Sequence, residues 1–179
     1  MEVVRCDQKY STKIIIPAYD SNNRGLTIPL VLNAYPYKRF LINCEGSVAE
    51  ALKRNLQRTI EIMSNIKKSW KVLLSFEYHM QSALNNFNVQ DARSSSLALS
   101  IALINIYREH HNQCQVSDLT GSGILRLNGE LEKSRLEDQK KHAIKDVINS
   151  IDCFITSDVC NHLLKLEKII NQYNIQEAS

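Results

Sequence analysis

The chain is poor in the residues that punctuate a fold. Its 179 residues include five glycines and three prolines, which excludes collagen-like, linker-rich and low-complexity architectures. There is no G-x-x-x-x-G-K-[ST] and no glycine-rich phosphate loop, so P-loop ATPase chemistry has no seat here. No apolar run reaches the ~18 residues that mark a membrane span. The start, MEVVRCDQKY, lacks the charged-then-apolar order of a secretory leader, so the expected address is the cytoplasm, without membrane insertion. The five cysteines (Cys6, Cys44, Cys114, Cys153 and Cys160) are odd in number and form no CxxC pair. They read as reduced thiols and not as a disulfide frame or zinc site. His110 and His111 are adjacent and share no helix face. His79, His142 and His162 are isolated, so neither metal nor cofactor is expected.

What is present fits one globular domain. Hydrophobic residues make up 44% of the chain and charged residues 23%, with a net charge of +3. That is enough apolar content for one sizeable core, and too weak a basic balance to argue for nucleic acid by itself.

KIIIPAY (13–19) and TIPLVLNAY (27–35) are β-branched and aromatic, with turn chemistry in SNNRG between them. KRFLINC (38–44) reads as a third strand. Val48, Leu52, Leu56, Ile60, Met63 and Ile66 then recur at helical spacing behind a capping box of Ser47 and Glu50. The alternation of Trp70, Val72, Leu74, Phe76 and Tyr78 predicts a strand. QSALNNFNVQDAR reads as a polar loop, and the apolar run after the serines as a helix. Asn128–Gly129 marks a hairpin within GILRLNGEL. A second capping box, Ser134 with Glu137, opens a helix over 135–149; IDCFITS is a strand, and Ser157 and Asp158 open a last helix. The order is β-β-β-α-β-α-β-β-α-β-α, an α/β (α+β) domain whose mixed β-sheet is covered by helices. Residues 1–44 supply N-terminal strands, 45–170 the core and 171–179 a frayed tail.

Three consecutive serines in DARSSSLALSIAL (91–103) pose a functional question. Serines at a helix start can be caps, and one of them can be a nucleophile. The stretch resembles the nucleophile motif of the Lon protease proteolytic domain, D-G-P-S-A-G followed by an apolar helix. SGILRLNGEL (122–131) resembles that family's T-G-E-I-x-L-x-G-x-V hairpin, with Gly123, Leu127, Gly129 and Leu131 in register. The following helix, strand and helix match in order. The earlier half is similar to the non-proteolytic Lon-like domains of magnesium-chelatase-like and DNA-repair ATPases. The resemblance implies the Lon-domain topology, which is that of a ribosomal-protein second domain, and a serine nucleophile activated by a lysine amine.

The family's serine falls on Ser94, with Ser95 and Ser96 in place of alanine and glycine. Its lysine lies in G-G-x-K-E-K, and an ungapped count from the hairpin puts Asp138 at that position, with Arg135 and Leu136 for the glycines. A carboxylate cannot be the amine base. Lys140, two residues on, is turned by roughly 200° on a helix, and Lys141 lies nearer the same face about one turn away. The expectation is therefore a degenerate, non-catalytic Lon-like domain, with the serines starting a helix. It would act as a protein-binding or scaffold subunit of a larger assembly beside a partner, an ATPase for instance, or as a homo-oligomer. The alternative is a Ser–Lys hydrolase using Ser94 or Ser95 with Lys141. A basic stripe of Lys53, Arg54, Arg58, Lys67 and Lys68 offers a third reading, a small DNA-associated module. Interruption by Glu50 and Glu61 and the lack of an aromatic platform favour a solvated face.

Overall fold

Two long β-branched strands come first among the described residues, with burial alternating over Tyr10–Ile16 in one and Thr27–Leu32 in the other. In the computed structural model, which describes residues 9–36, 42–43, 47–72, 74–80, 89–148 and 153–178, β1 (Tyr10–Tyr19) and β2 (Gly25–Tyr35) form an antiparallel hairpin. The Asp20 carboxylate accepts the backbone N–H groups of Asn22 and Arg24 at 2.8 and 3.0 Å. Asn23 takes a left-handed φ of 60° there, a conformation that asparagine tolerates. A short β3 (Ile42–Asn43) and β4 (Ser75–Met80) complete a four-stranded sheet of order β1-β2-β4-β3, with only β3 and β4 parallel.

Helix α1 (Ser47–Ile66) buries Leu52, Leu56, Ile60 and Met63, the apolar stripe of its sequence. The side chain of Ser47, and with it the first capping box, lies outside the described residues. Trp70 does not belong to a strand. It closes a 3-10 turn (Lys68–Trp70), buried as a wedge, and β4 begins only at Ser75. A second 3-10 segment (Val89–Ser95) leads into α2 (Ser96–His110).

Helix α2 is buried on every face from Ser96 to Arg108, and the rest of the domain packs around it. Asn105 satisfies the chain beyond it like a strand neighbour, giving its amide to Val116 O and accepting Val116 N–H at 2.9 and 2.8 Å.

β5 (Thr120–Ser122) pairs in parallel with β8 (Phe154–Thr156), and β6 (Ile124–Leu125) pairs antiparallel with β7 (Leu131–Glu132). The hairpin tip turns at Gly129, whose φ of +90° suits glycine, with the His162 ring packed where a Cβ would stand. His162 Nε2 donates to Asn128 O at 3.1 Å, and its Nδ1 accepts Leu164 N–H at 3.2 Å. α3 (Glu137–Ile144) is shorter than the expected 135–149. α4 (Leu163–Ala178) starts after the Ser157–Asp158 pair proposed to open it and runs on through the expected tail. Its start is fixed instead by Leu163 N–H on Gly129 O at 3.0 Å. The architecture is a mixed α/β domain with several small sheets, and its element order departs from the sequence expectation by one added strand, β5.

Candidate active site

The serine run does not cap α2. Ser95 stands at the N-cap without a side-chain cap bond, and the hydroxyls turn back onto the preceding carbonyls. Ser95 Oγ donates to Ala92 O, and Ser96 Oγ donates to Arg93 O at 2.6 Å. Asn55 of α1 braces this turn from the other side. Its amide donates to Ala92 O and to Ser95 Oγ, both at 2.7 Å, and its carbonyl accepts Ser96 Oγ–H at 3.1 Å. The Ser94 peptide is tied to the segment between β5 and β6: Gly123 N–H donates to Ser94 O at 3.1 Å, and Leu97 N–H to Gly123 O at 3.3 Å. Ser95 and Ser96 are thus engaged by the backbone and Asn55, and only Ser94 faces an amine.

That amine is Lys140. Its Nζ lies 2.9 Å from Ser94 Oγ, with Lys140 at 0% and Ser94 at 2% exposure. This corrects the placement expected from the sequence. Asp138 and Lys141 are exposed on the outer face of α3, while Lys140 and Ile144, four residues apart, share its inner face. The inward face follows from the helix phase, which is set by where α3 starts and which an ungapped count does not supply. Leu136 occupies the N-cap in a left-handed conformation (φ 53°), without a side-chain cap bond, and Glu137 is the first helical residue. The expected Ser134–Glu137 capping box is absent. Ser134 Oγ instead meets Ser122 Oγ at 2.6 Å in the buried floor beside Gly123.

The end of the β1–β2 hairpin closes the site. The Tyr19 ring centroid lies 5.2 Å from Lys140 Nζ, and Gly25 packs against the Gln139 carbonyl. Tyr19, Asn55, Ser122 and Ser134 were not singled out as site residues from the sequence. Asn55 carried a signal nonetheless, a polar amide set between Leu52 and Leu56 on the apolar stripe of α1.

Glu137 adds a carboxylate one turn before Lys140. Its Oε2 is buried with no hydrogen-bond partner. Burial raises its pKa above the ordinary carboxyl range; Lys133 and Lys140 oppose the shift, and Asp158 and Asp138 add to it. A carboxyl whose folded pKa is raised contributes stability that is full below the unfolded pKa and is lost as pH rises through the folded one. Glu137→Gln should therefore raise the thermal midpoint at pH 7, by on the order of 2 °C for a partly exposed group. The gain should vanish in melts below the ordinary carboxyl range. A gain that persists at acid pH would point to packing instead.

The basic stripe is divided. Lys53 lies 4.0 Å from Glu50, Lys67 pairs with Glu167 and stands 5.4 Å over the Trp70 ring, and Arg58 Nη1 donates to Leu125 O at 2.6 Å. Arg54 and Lys68 are exposed. No group of His, Cys, Asp and Glu among the described residues could hold a metal ion, and no helix among them is long and apolar enough to cross a membrane. No protein-family model matches this sequence, and no curated protein matches it.

Proposed function

We propose that this chain is a Ser–Lys hydrolase of the Lon-like kind, with Ser94 as nucleophile and Lys140 as general base, acting on amide bonds. The observation that supports it is the buried 2.9 Å contact between Ser94 Oγ and Lys140 Nζ. A lysine side chain costs free energy to bury and is rarely buried without a partner or a use. The location of this one, against the serine that the nucleophile motif singles out, is independent of the motif itself.

The chemistry follows from the pair. With the amine neutral, Ser94 Oγ–H donates to Lys140 Nζ across the same separation. Oγ attacks the scissile carbonyl carbon as Nζ takes its proton, giving a tetrahedral oxyanion. The positive end of α2 lies next to Ser94 and favours that negative charge. Collapse breaks the C–N bond; the Lys140 ammonium returns the proton to the leaving amine, and the acyl group stays on Ser94. Water then attacks the ester with Lys140 as base, releasing the acid and restoring Oγ–H. At 2% exposure Ser94 is closed to a substrate carbonyl, so the 3-10 segment 89–95 has to shift for attack.

A serine-reactive fluorophosphonate tests the reading. Ser94 should be labelled, with labelling lost in Ser94→Ala and kept in Ser95→Ala. Absence of label on the wild-type chain, under conditions in which a known serine hydrolase labels fully, would sink the hydrolase.

The closure over Ser94 favours a second reading, a non-catalytic Lon-like scaffold subunit docked to another protein or to its own copies. Leu127 at the hairpin tip and Val159 are 76% and 64% exposed, which suits a contact surface. That reading expects no labelling, together with a partner or a multimer in native mass measurements that Leu127→Ser disrupts.

A further inference from the structure

Arg93 is an exposed residue of the nucleophile turn. It precedes Ser94 in the chain and is exposed where Ser94 is not. Arg58 approaches from α1, one turn beyond Asn55, the residue that holds Ala92 O. Its guanidinium is fixed by the 2.6 Å bond from Nη1 to Leu125 O, two residues past the Gly123 that pairs with Ser94 O. Asn55 thus holds the backbone next to Arg93, and Leu125 holds the Arg58 guanidinium close to the segment that pairs with the Ser94 turn. Burial, and next the charge of Arg93, lower the pKa of Arg58, as expected for two like charges held close.

Among the described residues no carboxylate forms an ion pair with either arginine. The nearby Glu132 is engaged by Arg126, and Glu61, three residues after Arg58, is exposed and makes no bridge to it. Two guanidiniums at a rim, one pinned and both with donors to spare, present a forked array that suits a carboxylate.

Resting on the Ser94–Lys140 reading of the site, we infer that Arg93 and Arg58 form an anion-accepting subsite beside the nucleophile, which selects polypeptide segments carrying Asp or Glu next to the bond offered to Ser94. A polypeptide fits better than a nucleic acid. A phosphate backbone needs a continuous cationic track, usually with aromatic platforms. Here Lys53 and Lys67 lie with Glu50 and Glu167, and Glu61 breaks the stripe. What remains is a local pair sized for one carboxylate.

The test uses binding, so that it stands whether or not the chain turns over. Ser94→Ala protein is titrated into a short fluorescein-labelled peptide carrying a central Glu and into the same peptide with Gln, read by anisotropy. The Glu peptide should bind roughly tenfold more tightly, the size of one charge-assisted contact. Arg93→Gln and Arg58→Gln should each remove most of that preference, and Arg54→Gln should leave it intact. Since Arg93 is exposed, Arg93→Gln folds as the parent does, and Arg93→Glu should turn the preference towards a Lys peptide. Equal binding of the two peptides, no binding of either, or tighter binding of a single-stranded oligonucleotide than of the Glu peptide would each overturn the subsite. Labelling of Ser94 with no Glu preference removes the subsite alone. A Glu preference that depends on both arginines, without labelling, removes the hydrolase alone.

Discussion

Lys140→Met should abolish hydrolysis while leaving the fold as stable as the parent or more so. The base contributes ~10³-fold in a dyad of this kind, and methionine has neither the lone pair nor the charge. Methionine also matches the length of the lysine stem and removes an amine from a site with 0% exposure, so the packing cost is small and the polar cost of burial disappears. Lys140→Arg should be as inactive as Lys140→Met, because a guanidinium stays protonated and cannot accept the Ser94 proton. Lys141→Met should retain parental kcat/KM, since Lys141 is exposed on the far side of α3. Since only the neutral amine accepts a proton, the parental rate should rise with pH to a plateau. Loss of activity in Lys141→Met with Lys140→Met active would reverse the assignment. Equal loss of activity and melting temperature in Lys140→Met would mean that the lysine holds the fold and not the proton.

Why the sequence pointed to Ser94 yet away from Lys140 has a physical answer. The serine belongs to a segment with fixed local geometry: a turn, then an apolar helix, with Gly123 placed alongside by a hairpin that Asn128–Gly129 makes recognisable. The lysine is positioned by phase on a different helix, and phase depends on the first helical residue. Nothing in RLEDQKK suggests that Leu136 would take a left-handed conformation at the N-cap, so that the helix starts at Glu137, two residues later than expected. A count across the four irregular residues between β7 and α3 does not carry the helix phase, and on a helix two positions are enough to exchange inside for outside. The better signal was on α3 itself: Lys140 sits four residues from Ile144, in the inward stripe. A lysine in an apolar stripe is the exception that carries information.

The strands were legible for the opposite reason. β1 and β2 were read from β-branched and aromatic content on either side of a turn sequence, a local signal that needs no start point. Trp70 misled because its spacing to Val72 and Leu74 imitates a period of two, while a 3-10 turn and not a strand delivers the indole to the core. The same limit applies to the proposed arginine pair, since Arg58 and Arg93 lie 35 positions apart and their elements are joined through the bond from Asn55 of α1 to Ala92 O.

Gly25→Ala should be among the most damaging single-methyl changes in the chain, and its effect should reach Ser94. A Cβ at Gly25 would stand 2.1 Å from the Gln139 carbonyl oxygen and 2.7 Å from its carbon. Both are backbone atoms of α3, so no side-chain rotation relieves the clash; either the hairpin end or the helix has to move. Overpacking against backbone costs roughly 3 kcal/mol. Gln139 is covalently joined to Lys140, so whatever α3 yields is taken from the Lys140–Ser94 contact. At a temperature where the variant is still folded, kcat should fall by ~10²-fold with KM little changed, because a misplacement of about 1 Å at the base is felt in the chemical step. Gly123→Ala is the control near the nucleophile. Its Cβ would meet Glu132 O and Leu97 at 3.4 Å, a contact that small shifts absorb, so it should keep most of its stability. A Gly25→Ala protein with parental melting temperature and parental kcat would mean that α3 is not held to β2 by this contact, and Lys140 would then owe its position to the floor of the site and not to the hairpin above it.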